Sequence, residues 1–127
     1  MISEDSLQKI SHLFCGDTGE KFAYKSGPKL VSFFNTYFSA NDKYESGFPS
    51  RWIYVYNKLI GFLNGGLIQK FLDIILSKDY LMSEQNLTAV DAASRSQDIL
   101  NELKYSLQGT TQGRYLTGGV PPVRFSM

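Results

Sequence analysis

Between Leu30 and Leu63 the apolar residues recur with the period of an α-helix, and this periodicity constrains the fold more than any other feature. Leu30, Phe33, Phe34, Tyr37 and Phe38 stand at i, i+3, i+4, i+7 and i+8. Trp52, Val55, Tyr56, Leu59, Ile60 and Leu63 repeat the pattern. On a helix of 3.6 residues per turn each set lines one face, and such a face must be buried against another element. A mainly α fold follows, built by packing helices on helices.

The flanking punctuation extends this reading along the chain. Ser3-Glu4-Asp5 offers a capping hydroxyl and acids for the first turn, after which Leu7, Ile10 and Phe14 keep helical spacing. Gly16-Asp17-Thr18-Gly19 stops that helix, and Ser26-Gly27-Pro28 starts the next with proline near its first position. Pro49-Ser50 opens the third. Asn64-Gly65-Gly66 breaks it, and Leu67, Ile68, Phe71, Leu72 and Ile75 carry a fourth to about Lys78. Asp79 to Gln85 is expected as a link, and Asn86 or Thr88 caps a fifth helix to about Leu107.

The expected architecture is therefore a compact bundle of about five helices over residues 1–108. Residues 109–127, rich in Gly and Thr, follow as a short hairpin, an extended arm or a linker. The core should comprise Phe33, Phe34, Tyr37, Val55, Leu59, Ile60, Leu63, Phe71, Leu72, Ile75 and Leu103.

Composition narrows the function classes. A chain of 127 residues makes one domain with a core of its own. Its net charge of +1 gives no global field to steer it to nucleic acid or a membrane. A single cysteine, Cys15, forbids an intrachain disulfide and suits a reducing cytoplasm. The N-terminal MISEDSLQK has no apolar signal core, and the apolar run around Leu67 to Leu76 is too short and too interrupted for a bilayer. Aromatics reach 14%, which fits either a ring-filled core or an exposed tyrosine face.

Few residues suggest chemistry. His12 lies three positions before Cys15 on one helix, a spacing that rarely aims an imidazole at a thiol. One His and one Cys are too few for a zinc site, and no glycine loop carries the lysine of a phosphate cradle. No catalytic residue, metal or cofactor is expected. Lys25, Lys29, Arg51, Trp52 and Lys58 form a basic, aromatic set that could hold nucleic acid or a protein partner. In the tail, Tyr115, Leu116 and Phe125 are apolar anchors that a partner would order.

Four short motifs carry a family likeness. They are Lys25-Ser26-Gly27-Pro28, the Phe33-Phe34-Asn35 helix, Gly47-Phe48-Pro49-Ser50-Arg51, and a Y-x-x-x-K-L helix from Tyr54 to Leu59. Together with Asp98 to Tyr105, DILNELKY, they resemble the N-terminal domains of AbiJ-type abortive infection proteins. The resemblance spans about Leu7 to Tyr105. It implies a helical module of bacterial anti-phage defence, usually joined to a separate effector domain, with no firm enzymatic role. The expected partners are an effector domain, a neighbouring protein or a second copy of the chain. Nucleic acid remains the alternative.

Overall fold

The computed structural model describes residues 3–17 and 21–106. Within them the chain forms six helices: α1 (Glu4–Cys15), α2 (Gly27–Phe38), α3 (Arg51–Gly65), α4 (Ile68–Ile75), α5 (Lys78–Gln85) and α6 (Ala89–Ser106). No strand occurs among the described residues. The mainly α expectation holds, while the hairpin or arm expected at 109–127, with Tyr115, Leu116 and Phe125, lies outside the described residues.

The starts and stops follow local chemistry. Ser3 accepts the Ser6 amide and caps α1, and Ser26 accepts the Lys29 amide and caps α2. Gly16 ends α1 at φ +77°, and a Cβ there would sit 2.3 Å from the Ala23 carbonyl oxygen. Only glycine satisfies both the left-handed backbone and that close approach. Gly66 ends α3, and Leu67 returns its amide to the Phe62 carbonyl at 2.9 Å.

One element departs from expectation. Residues 79–85 are not a link but most of α5. The apolar run ends at Leu76, and Ser77 then caps a new helix by accepting the Tyr80 amide. Only Leu81 of α5 is fully buried, so the segment carries no apolar stripe for a periodicity argument to find. Asn86 ends α5 in the left-handed region, and Thr88 accepts the Asp91 amide at the start of α6.

α1 packs chiefly on α3 and also on α6, while α5 packs on α6. Phenylalanines fill the space between them. Phe14 lies 4.8 Å from Phe33 and 5.2 Å from Phe71, and Phe34 stacks parallel to Phe71 at 6.2 Å. Edge-to-face and offset contacts of this kind suit the aromatic quadrupole. The aromatic question thus divides by residue: Phe14, Phe22, Phe33, Phe34 and Phe71 are core, whereas Tyr24, Tyr37 and Tyr44 are exposed. Tyr37 was expected inside and is not, and Ile60 and Leu63 are half-buried at the edge of the core. The hydroxyl at the end of the tyrosine ring favours the surface when no buried partner is in reach.

Leu59 is fully buried in the middle of α3. Its replacement by alanine should cost roughly 2–5 kcal/mol through lost transfer energy and a cavity. A urea melt checks this, and a change under about 0.5 kcal/mol would be surface behaviour instead.

Candidate functional site

The segment from Lys21 to Ser26 has no regular structure, yet four helices converge on it. Lys25 is the hub. Its amide donates to the Cys15 carbonyl at 3.0 Å, and its own carbonyl accepts Arg51 Nε at 2.8 Å. Its side chain runs inward. Only 5% of the residue is exposed, and Nζ donates to the Phe14 carbonyl at 2.9 Å and the Ala23 carbonyl at 3.3 Å. Nζ also forms an ion pair with Glu84 of α5 and lies 4.3 Å from the Phe14 ring centroid and 4.9 Å from that of Phe22.

Glu84 is equally engaged. It accepts Tyr80 Oη at 2.9 Å, Gln85 Nε2 at 3.0 Å and the Ala23 amide at 3.5 Å. Burial pulls the Lys25 ammonium below the ordinary lysine range, and the Glu84 carboxylate opposes that pull. Burial, with the Glu84 charge next, holds the Tyr80 hydroxyl well above the ordinary tyrosine range. A desolvated lysine can serve as a nucleophile or base. Here three acceptors already meet the three ammonium donors, so the group acts as a strut between helices.

Arg51 forms a second strut at the start of α3. Nη2 donates to the Cys15 carbonyl at 3.0 Å and to Asp17 Oδ1 at 2.9 Å, and the guanidinium lies 4.1 Å from the Tyr24 ring centroid. The other Asp17 oxygen faces His12 Nδ1 at 2.6 Å, and the His12 ring stacks on Trp52 at 4.7 Å. Arg95 and Gln85 complete the clamp by donating to the Lys21 carbonyl, at 3.2 and 2.9 Å.

These contacts decide what the sequence-picked residues do. Lys25, Arg51 and Trp52 are brought together, but as internal ties. Lys58 pairs with Asp42, whose carboxylate also accepts Tyr54 Oη at 2.7 Å. Lys29 is exposed on α2. The basic set therefore does not form one open face for phosphates.

Cys15 is fully buried, and its thiol is pushed up to about 11 by burial, against the opposing Arg51 charge. A nucleophilic cysteine needs the opposite shift. Among the described residues no three metal-binding side chains cluster, and no helix is long and apolar enough to cross a membrane.

The residues missed by sequence reasoning are Asp17, Tyr80 and Glu84. Tyr80 and Glu84 stand four apart on one helix, which is a local signal. Nothing local links Glu84 to Lys25.

Beside the Lys25–Glu84 pair lies a groove of about 380 Å³ between α2 and α5. Tyr24, Lys29 and Tyr37 stand on its rim, and Phe33, Tyr80 and the ion pair line its floor. No protein-family model, curated protein or solved structure matches the chain.

The buried thiol makes a pH test possible. Folding raises the Cys15 value from 9.0 to about 11. The folded state therefore holds that proton more tightly, and the stabilisation is intact below pH 9 and lost as pH rises through the folded value. Tyr80 acts in the same direction, and Lys25, whose value is lowered, in the other. Comparison with Cys15→Ala isolates the thiol. The wild type should lose roughly 1.4 kcal/mol of its margin over the variant per pH unit between 9 and 11. Urea melts at four pH values read it, and a constant margin would show that the thiol does not report its burial.

Proposed function

We propose that this chain is a non-enzymatic interaction or sensor module of a bacterial abortive-infection system. It acts in the cytoplasm by contact with an effector, a neighbouring protein or a second copy of itself. The observation that carries this reading is the division of labour between two groups of side chains. The chemically capable groups, Lys25, Glu84, Arg51, Asp17 and His12, are spent on one another and on the backbone. The rings of Tyr24, Tyr37 and Tyr44 are left on the surface, 61%, 39% and 54% exposed. Exposed tyrosines supply apolar contact area at low entropy cost and are enriched at protein interfaces.

The motifs behind the family likeness support the same view, because they form one unit. Lys25 is the hub, Ser26 the cap, and Pro28 sits in the first turn of α2. A Cβ on Gly27 would lie 2.1 Å from the Tyr44 ring, so glycine is required for that ring to cover the helix start. Arg51 then ties Gly47-Phe48-Pro49-Ser50-Arg51 to Lys25. A module in which these motifs are tied into one surface is suited to recognition. The nucleic-acid alternative would need Lys25, Arg51 and Lys58 freed from these contacts.

The test is solution mass by light scattering, followed by retention of the neighbouring gene product on the immobilised full chain. Self-association or retention is expected, weakened at least tenfold in a Tyr24→Ser, Tyr37→Ser double variant. A monomer at high concentration that retains no neighbour would overturn the proposal.

A further inference from the structure

A cleft of about 430 Å³ is lined by α1 and α6. A water molecule takes roughly 30 Å³ in the liquid, so this space admits side chains. Along α1 its wall is Asp5, Gln8, Lys9, His12 and Leu13, at i, i+3, i+4, i+7 and i+8. These positions form one face of the helix. Glu102 lines the cleft from α6, and Asp17 stands where α1 has ended.

The cleft combines apolar surface with unanswered negative charge. Leu13 is half-buried, and the His12 ring is stacked on Trp52 at 4.7 Å. Of the three carboxylates, Asp17 is already shared between His12 and Arg51. Asp5 and Glu102 are exposed, and neither forms an ion pair among the described residues. Lys9 is the one cation on the wall besides a protonated His12. The surface therefore suits a cationic side chain flanked by apolar ones.

The chain itself carries such a segment, and α6 leads to it. α6 ends at Ser106, four residues past Glu102, or about 6 Å along the helix. From Leu107 to Met127 the sequence has Arg114 and Arg124 and no Asp or Glu. Arg114 is followed directly by Tyr115 and Leu116. Eight residues separate Arg114 from Ser106, a reach of up to roughly 26 Å, ample to turn back over one helical turn. Gly109 and Gly113 lie within that stretch, and glycine is the residue that tight reversals favour.

We propose that Gly113 to Thr117 of the same chain docks in the α1–α6 cleft. Arg114 bridges Asp5 and Glu102, and Tyr115 and Leu116 cover Leu13 and the His12 ring. A guanidinium between two carboxylates makes charge-assisted hydrogen bonds, and the neighbouring side chains bury apolar surface on both sides. Attachment through α6 makes the contact intramolecular, so its occupancy is set by the linker and not by protein concentration.

The experiment is limited proteolysis of the full chain with an arginine-specific protease, read by mass spectrometry. Cleavage in a docked segment follows the population of its open form. The bond after Arg114 should be cut at least about tenfold more slowly than the same bond in a synthetic peptide of residues 109–127. Asp5→Lys with Glu102→Lys should restore the peptide's rate, and Asp5→Asn with Glu102→Gln should move it part of the way. Slow cutting after Arg51 and Arg95, both in helices, verifies that each variant is folded. Should the charge reversal unfold the chain, the neutral pair decides. Cleavage after Arg114 as fast as in the peptide would overturn the proposal. So would protection indifferent to the folded charge variants. Protection lost on about a hundredfold dilution would assign the cleft to a second copy and overturn it as well.

Discussion

Taking the Lys25 ammonium out of water is the interaction on which the rest of this fold depends. A buried charge is tolerated only when a counter-charge and hydrogen-bond acceptors replace its hydration. The chain supplies all of them from different places. Phe14 offers a carbonyl at the end of α1, Ala23 offers another two residues away, and Glu84 brings a carboxylate from α5. Satisfying one ammonium thus positions the irregular segment 21–26 and locks α5 against the end of α1. Arg51 repeats the device from α3, reaching the carbonyls of Lys25 and Cys15. No buried side-chain polar atom among the described residues is left without a partner, as such a network requires.

The groove is a consequence of this anchoring. Glu84 is held inward by Lys25, Tyr80 and the Ala23 amide, and together with Tyr80 and Ser83 it lines the α5 side of the groove. The same cluster turns Tyr24 outward, over the Arg51 guanidinium. Packing, polar satisfaction and the candidate surface therefore share one origin. The side chains that look most reactive stabilise the scaffold, and the rings of Tyr24, Tyr37 and Tyr44 around it face solvent.

The sequence makes the helices legible where burial is periodic. α2, α3 and α4 each place apolar residues on a stripe, and the Ser26, Gly27 and Pro28 signals mark the start of α2 as observed. It hides α5, whose one fully buried residue is Leu81 and whose other ties are polar contacts and the Tyr80 ring against Phe14 and Phe33. The candidate site was half legible. Lys25 and Arg51 stand out in the basic segment, but residue type suggests a solvated surface, because lysine is almost never buried without a partner. That partner, Glu84, comes from a distant helix with no local signal, and only the tertiary fold joins them. The nine phenylalanines and eight tyrosines were likewise inseparable by composition. The structure separates those it describes by whether a hydroxyl must be satisfied: Tyr54 and Tyr80 go inward to Asp42 and Glu84, while Tyr24, Tyr37 and Tyr44 stay out.

A double-mutant cycle on Lys25 and Glu84 tests the central role of the buried pair most directly. Stability is measured by urea melts for Lys25→Met, Glu84→Leu and the double variant. Each single change leaves an uncompensated charge in the interior and should cost about 3–5 kcal/mol. The double change removes both charges and should cost far less than the sum, giving a large coupling energy. Single losses under about 0.5 kcal/mol, as for a surface pair, or losses that simply add, would contradict the account.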